Sequence, residues 1–263
     1  MKVLITVKAY PTLSAKYDEL VCTAGFDENG NWIRIYPIPF RKLDEYSKFK
    51  KYQWIDLDLV RNTSDPRPES YKPRNYENIK SEDWIDTEKG LWTKRKEIVL
   101  KKVYFDIQQL IDEAKDTSIC TSLAVFKPKE ITGFKIEEVT RNWDLTKIKK
   151  IKARTEQGNL FSDSEQLFKV VRKLPYKFSY TFIDINNKEC TLMIEDWEIG
   201  MLYWNTLRTH NKNELKACED VKKKYFDDFA GSKDLYLFLG TTREYHFVGP
   251  NPFVIVGTFH PKK

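Results

Sequence analysis

The sequence predicts an α+β protein made of β-barrel-like units, OB-like or PUA-like in type, with helices at their periphery. Most of its apolar segments are short and alternate apolar with polar residues, which is typical of strands. Two of the junctions between such segments carry residues that accept positive φ angles, Asn29-Gly30 and Asn186-Asn187. Helical spacing of apolar residues is less common and occurs at residues 105–115, 196–207 and 213–229.

Length and composition indicate a folded chain of two domains. The chain has 263 residues, of which 41% are hydrophobic and only ten are glycine, so it can bury a sizeable core. A polar tract at residues 155–164 separates two sets of predicted strands and helices. We therefore predict two domains. Residues 1–155 form an N-terminal β-barrel-like domain that includes a helix, and residues 156–263 form a C-terminal α+β domain.

The most informative stretch is a predicted hairpin at residues 21–41. Because side chains alternate along a strand, Ile33 and Ile35 face one side of its second strand. The other side carries Trp32, Arg34 and Tyr36. This stripe suits a single-stranded nucleic acid, because rings stack on bases and a guanidinium binds phosphate. The alternative is a cross-strand aromatic cluster with the arginine lying over a ring.

The same stretch resembles a known family. Cys22-Thr23-Ala24-Gly25, followed by a hairpin and by Trp32-Ile33-Arg34, is similar to the opening of the dual OB-fold domain proteins. The resemblance covers about the first quarter of the chain. It implies two small β-barrels and a nucleic-acid-associated role, and it implies no catalytic residue.

Residues 54–60 are predicted to form a strand that carries Asp56 and Asp58 on one face. Two neighbouring carboxylates suit a divalent cation, since hard cations prefer oxygen ligands. The same pattern also describes a solvated outer face, so both interpretations stay open.

The loop after this strand presents Arg67 between Pro66 and Pro68. The two prolines hold the arginine in an extended conformation of low entropy. Arg67 is then either a recognition element beside Tyr71 or part of a stiff connector, paired with Asp65 or Glu69.

The middle of the chain is predicted to contain a strand at residues 97–104, the helix at 105–115 and strands at 122–126 and 131–139. Residues 145–154, LTKIKKIKAR, then hold five basic residues and no acidic one. A phosphate backbone would gain most from this run, although many such runs are solvated faces.

The last third repeats the pattern of a hairpin followed by helices. Phe178, Tyr180 and Phe182 lie on one face of a predicted strand and are expected in the core, because no basic residue interrupts them. Strands at residues 235–240 and 253–259 end the fold. The loop between them holds Arg243 and His246, which suit contacts with a phosphate or a base.

Cysteine and histidine usage argues against a recognisable zinc fold. The four cysteines lie far apart with no Cys-x-x-Cys pair, and the chain has three histidines, so we expect buried, reduced thiols. We predict no metal and no cofactor. No apolar run approaches the roughly 20 residues of a membrane span, and we expect a cytoplasmic protein with no membrane partner.

These features predict a nucleic-acid-binding protein that recognises single-stranded or otherwise exposed RNA or DNA in preference to duplex. Basic residues outnumber acidic ones by 45 to 39, and aromatics make up 14% of the chain. The alternative is a metal-dependent nuclease or nucleotide-processing enzyme, with Asp56, Asp58 and Glu69 holding magnesium or His246 as a general base. The candidate nucleic-acid contacts are Trp32, Arg34, Tyr36, Arg41, Lys50, Arg67, Tyr71, Lys149 and Arg243.

Overall fold

A computed structural model describes residues 1–14, 18–38, 48–75, 78–146, 148–149 and 171–263. The protein is α+β: its strands form a large curled sheet and two smaller sheets, accompanied by a few helices. Within the described ranges, no helix is both long enough and apolar enough to cross a membrane.

The first part of the chain folds into the curled sheet, which has the shape of a half-barrel. Its strands are β1 Lys2–Lys8, β2 Thr12–Ser14, β3 Asp18–Phe26, β4 Trp32–Ile38, β5 Gln53–Asp56, β6 Leu59–Arg61, β7 Ser70–Pro73 and β8 Lys80–Trp84. Seven of them are hydrogen-bonded in the order β6-β7-β4-β3-β1-β5-β8, and β2 pairs with β3. β7 runs parallel to β4, which places Tyr71 opposite Ile35.

The predicted hairpin at Asn29-Gly30 is confirmed. β3 and β4 pair antiparallel, with Phe26 opposite Trp32 at the end next to the turn. Gly30 has a φ of 84°, which glycine adopts without strain. The Asp27 carboxylate accepts the backbone N–H groups of Asn29 and Asn31, so the turn satisfies its own donors.

The remaining strands form two sheets. They are β9 Val103–Tyr104, β10 Leu123–Phe126, β11 Glu130–Glu138, β12 Tyr176–Ile183, β13 Glu189–Met193, β14 Tyr236–Thr241 and β15 Phe253–Phe259. One sheet has the order β15-β14-β10-β9 and the other has the order β11-β12-β13. A bridge between Ile194 and Ile255 connects the two.

Capping side chains precede three of the helices. The helices include α1 Thr93–Val99, α2 Ile107–Lys115, α3 Trp197–Thr209 and α4 Glu214–Lys222, which continues as a π-helix over Lys223–Ala230, and a 3₁₀ turn at Glu88–Gly90 precedes α1. Asp106, Asp196 and Asn213 each accept a backbone N–H from the first turn of α2, α3 and α4, respectively. The three predicted helical segments are thereby confirmed.

Two predicted strands are wrong. Residues 97–104 were expected to form one strand, but α1 ends at Val99 and β9 holds only two residues, because Arg95 and Val99 bury the same helix face. Residues 54–60 divide between β5, which pairs with β1, and β6, which pairs with β7. Asp56 and Asp58 therefore share no strand.

Three hydrophobic clusters form the core, and one of them joins the two parts of the chain. The curled sheet encloses the first cluster and the smaller sheets with their helices enclose the second, which contains the predicted stripe of Phe178, Tyr180 and Phe182. We call the third cluster the seam cluster. Its buried members are Val7, Ala24, Phe26, Tyr52, Trp92, Val99, Leu123, Val125, Phe238, Val256 and Phe259.

Several predictions fall on residues that are not described. The domain boundary at residues 155 and 156 lies outside the described residues and stays a prediction. The same holds for residue 147 and residues 150–154 of the basic run at residues 145–154.

Candidate functional site

A groove of about 610 Å³ opens where the curled sheet meets the β10 end of the second sheet. We call it the seam groove, because Phe26 and Leu123 of the seam cluster line it. Its lining combines aromatic, basic and apolar side chains. The ones used below are Phe26, Trp32, Tyr71, Lys101, Lys102 and Ile119.

Trp32 is held in the groove by two aromatic neighbours. It is the first residue of β4 and lies 4.0 Å, centroid to centroid, from the ring of Phe26 on β3. The ring of Phe238 meets it edge-on at 5.6 Å. These contacts fix the indole, yet Trp32 stays half-buried, so part of its ring is open to the groove.

Tyr71 reaches the same groove because β7 lies beside β4. It is half-buried, and the guanidinium of Arg61 lies 6.0 Å from the centre of its ring. Arg61 is fixed by a hydrogen bond of 2.5 Å from Nη1 to the backbone oxygen of Ser70. Two aromatic residues from separate strands therefore line one groove, with a cation beside the second.

Two exposed lysines complete the groove from the turn between α1 and β9. Lys101 donates through Nζ to the backbone oxygen of Asn29 at 3.0 Å, so it lies over the hairpin turn. The ammonium of Lys102 lies 4.8 Å from the ring centre of Tyr104. Both charges stay in contact with solvent and are available to an anion.

Arg34 lies beneath the groove and does not face solvent. Its side chain is only 3% exposed, and Nη2 donates to the backbone oxygen and the hydroxyl of Ser122 at 3.0 and 2.9 Å. The segment before β10 thus covers this member of the stripe on β4. Its role in nucleic-acid binding stays a prediction, and the structure gives the guanidinium an internal partner.

Arg67 is also internal, as the stiff-connector interpretation expected. It is 5% exposed. Its Nε and Nη2 atoms donate hydrogen bonds of 2.9 and 2.6 Å to the Asp65 carboxylate, and Nη1 donates to the backbone oxygen of Thr241 at 2.6 Å. Burial opposes ionisation of Asp65, but the Arg67 guanidinium outweighs it and lowers the pKa of the carboxyl to about 2.

His246 is buried in the loop after β14. Its ring nitrogens lie 2.8 Å from the Thr241 hydroxyl and 3.2 Å from the Cys120 thiol, and the side chain is 1% exposed. Burial lowers the pKa of the imidazole below its ordinary value. Arg243 of the same loop is exposed but does not line the seam groove.

The three acidic residues of the alternative hypothesis do not form one site: Asp56 and Asp58 line one cavity, whereas Glu69 lines the seam groove. Asp56 pairs with the N-terminal ammonium at 2.9 Å, Asp58 pairs with Arg74 at 3.3 Å, and Glu69 accepts a hydrogen bond from Ser122. In the part of the chain that is described, no three His, Cys, Asp or Glu residues form a group that could hold a metal ion.

The other predicted contacts are scattered. Tyr36 is half-buried outside the groove, Lys50 lines a different cavity, and Lys149 is exposed after Ile148. Arg41 lies outside the described residues. Of the nine predicted residues, the groove brings together Trp32 and Tyr71.

Two family models match the chain. A domain of unknown function, DUF8758, matches residues 1–101. A second domain of unknown function, DUF8757, matches residues 104–263, which is more than half of the chain. The chain belongs to the DUF8757 family. No curated protein matches its sequence.

The seam groove lies across the junction of the two matches. Trp32, Tyr71 and Lys101 come from the DUF8758 match, whereas Ile119 comes from the DUF8757 domain. Lys102 stands between the two. The groove is therefore formed only when the DUF8757 domain packs against the curled sheet.

The sequence did not single out Lys101, Lys102 or Ile119 as site residues. The two lysines lie within residues 97–104, which were expected to form a strand, and Ile119 follows α2 in a turn that shows no periodicity. The available signal was the pair of lysines directly before β9. No pattern in the neighbouring sequence indicates that Lys101 contacts the hairpin turn, which lies about 70 residues earlier.

Proposed function

We propose that the protein binds single-stranded nucleic acid along the seam groove. The observation that carries this proposal is the placement of two partly open aromatic rings, Trp32 and Tyr71, in one groove with the exposed Lys101 and Lys102. Unpaired bases stack on such rings with roughly 1–3 kcal/mol each. Lysines beside the rings suit the phosphates between the bases.

Single strands fit this groove better than duplex, because the rings need bases whose faces are free. In a duplex the faces are stacked on one another, and the backbone alone would meet the protein. The carboxylates that also line the groove have internal partners: Asp27 caps the hairpin turn and Glu69 accepts from Ser122. They therefore offer a phosphate less repulsion than free carboxylates would.

The curled sheet supports a finer proposal about the fold. Its strongly bent, mainly antiparallel strands with peripheral helices are compatible with an OB-like or PUA-like unit, of the kind that presents single strands to an open face. A cytoplasmic location remains part of the proposal. The cysteines at 22, 120, 190 and 218 are all unpaired, as is usual in a reducing compartment.

The test is the salt dependence of binding to labelled RNA and DNA oligonucleotides of roughly 12 nucleotides. The double variant Lys101→Gln, Lys102→Gln removes two cations, so the slope of log K against log salt should become shallower by about 1.4. Fluorescence anisotropy between about 50 and 200 mM salt measures this slope.

The matched control removes two exposed lysines elsewhere, Lys135 on β11 and Lys216 on α4. Lys135→Gln, Lys216→Gln should leave the slope at its wild-type value. Equal slopes in both double variants, or affinity that does not change with salt, would refute the proposal.

A further inference from the structure

A second cavity of about 480 Å³ lies between the two parts of the chain and shares no lining residue with the seam groove. The curled sheet and α1 supply one wall, including Lys51, Tyr52 and Arg95. The other wall comes from α3, the π-helix and β15 with the residue that follows it, including Glu198 and His260. We call it the seam pocket.

The floor of the pocket is a buried ion cluster. Lys51 donates to both carboxylate oxygens of Asp196 at 2.9 and 3.1 Å and to Glu198 at 3.0 Å. Burial opposes the charge on Lys51, but the two carboxylates outweigh it and hold the pKa of its ammonium above the ordinary value. Half of the Glu198 side chain remains exposed, so this carboxylate offers an acceptor to a ligand.

Tyr52 lines the pocket with a hydroxyl that has no hydrogen-bond partner among the described atoms. The residue as a whole is only 5% exposed. A buried hydroxyl without a partner is uncommon and destabilising. A ligand with a polar edge would supply the missing hydrogen bond.

The aromatic walls disfavour one class of ligand. The guanidinium of Arg95 lies 3.8 Å from the ring centre of Tyr52 and 4.7 Å from that of Trp92, and it donates twice to the backbone oxygen of Ile85. An internal cation therefore already occupies one face of the Tyr52 ring and one face of the Trp92 ring, which weakens their attraction for a cationic ligand. A neutral or anionic ligand is favoured.

One aromatic face remains available at the mouth. Trp84 is 49% exposed, and its ring is held in place by a hydrogen bond of 3.0 Å from Nε1 to the backbone oxygen of Lys51. The Arg95 guanidinium lies 5.5 Å from the centre of this ring, further away than from Tyr52 or Trp92, and about half of Trp84 stays open to solvent. Lys50 is exposed beside it. A fixed, open indole next to a free ammonium suits a planar ring that carries a phosphate.

His260 provides a neutral hydrogen-bonding group on the opposite side. Its imidazole stacks on Phe229 at 3.7 Å, and burial lowers its pKa to about 4. At neutral pH one ring nitrogen is therefore an acceptor. With the Tyr52 hydroxyl and the Glu198 carboxylate, the pocket offers both a donor and acceptors to the edge of a base.

We propose that the seam pocket binds one nucleotide, with its base on Trp84, its polar edge toward Tyr52 and its phosphate at Lys50. The nucleotide comes either from the free pool or from a strand, and the chemistry of recognition is the same for both. This site goes beyond the seam groove and uses none of its residues.

The test is calorimetric titration with adenosine, guanosine, cytidine and uridine 5′-monophosphates. Trp84→Ala should weaken the best of them roughly 5- to 150-fold through lost stacking. Tyr52→Phe should weaken it up to about tenfold through one lost hydrogen bond. The melting temperature of Tyr52→Phe should equal or exceed that of the wild type, because the variant removes a buried hydroxyl that has no partner among the described atoms. An unchanged or higher melting temperature shows that weaker binding does not come from damage to the fold. Lys135→Gln on β11 serves as the control and should bind like the wild type.

The two sources give different results. Saturable binding of a mononucleotide that both pocket variants weaken identifies a free nucleotide as ligand. If mononucleotides give no heat, but Trp84→Ala and Tyr52→Phe weaken binding of an oligonucleotide, the ligand is a nucleotide of the strand. The proposal fails if neither variant changes the affinity for either ligand, or if Lys135→Gln lowers it equally.

Discussion

Nη1 of Arg67 donates a hydrogen bond of 2.6 Å to the backbone oxygen of Thr241, which lies 174 residues further along the chain. The same guanidinium holds the Asp65 carboxylate at 2.6 and 2.9 Å, and both side chains are buried. The ion pair thus neutralises two buried charges. The hydrogen bond from Arg67 to Thr241 also connects the loop before β7 to the end of β14. Its main effect is to join the two parts of the chain.

Arg67→Met should destabilise the protein by about 3–5 kcal/mol, because it leaves the Asp65 carboxylate buried without its cation. Urea denaturation measures this change. The double variant Asp65→Asn, Arg67→Met should recover part of the loss. The exposed pair of Arg74 and Asp58 is the control, and Arg74→Gln should cost less than about 1 kcal/mol. Similar losses for Arg67→Met and Arg74→Gln would contradict this account.

Local features of the fold could be predicted from the sequence, whereas the site could be predicted only in part. The Asn29-Gly30 turn and the stripe through Phe178 and Tyr180 depend on residues close together in the chain, so periodicity and turn chemistry indicate them. The burial of Arg34 depends on Ser122, which lies 88 residues away. No local pattern carries information about a partner at that distance.

The same reason explains the incomplete prediction of the groove. Alternation along β4 correctly places Trp32 and Ile33 on different faces, since Trp32 packs near the seam cluster and Ile33 lies in the first cluster. Alternation does not reveal that another sheet covers the first of these faces. The sequence therefore left both interpretations of the stripe open, whereas in the structure Arg34 is buried under Ser122.

Gly25 on β3 should not tolerate a side chain. A Cβ at this position would lie 2.0 Å from the backbone oxygen of Leu4 on the neighbouring strand β1. Because backbone atoms of paired strands cannot move apart without loss of their hydrogen bonds, we expect Gly25→Ala to cost more than about 3 kcal/mol or to prevent folding.

Gly133 on β11 offers a matched control within the same protein. A Cβ there would meet the Thr181 side chain at 3.5 Å, an ordinary contact. Gly133→Ala should leave stability unchanged or raise it by up to about 1 kcal/mol. Thermal denaturation of the two variants tests the difference. Equal melting temperatures would show that a Cβ at position 25 does not destabilise the pairing of β3 with β1.

His260 should make stability depend on pH in the mildly acidic range. Burial lowers its pKa to about 4 in the folded protein from an ordinary value of 6.5. The neutral imidazole thus contributes stability that is complete above pH 6.5 and is lost as the pH falls toward 4. The loss should amount to roughly 3 kcal/mol.

The comparison with His260→Gln isolates this residue from the carboxylates that titrate in the same range. Urea denaturation at several pH values should give a flatter stability curve for the variant than for the wild type. Parallel curves would mean that the pKa of His260 is the same in the folded and the unfolded protein.

Tyr71 should contribute to nucleic-acid affinity without a large contribution to the fold. Its ring is half-buried in the seam groove beside Arg61, so Tyr71→Leu keeps an apolar side chain but removes the stacking surface. We expect oligonucleotide affinity to fall at least about fivefold, which corresponds to roughly 1 kcal/mol of lost stacking. Phe105→Leu is the control, because Phe105 is 48% exposed and lies outside the groove. If anisotropy shows equal affinities for the two variants while both remain folded by circular dichroism, the strand does not stack on Tyr71.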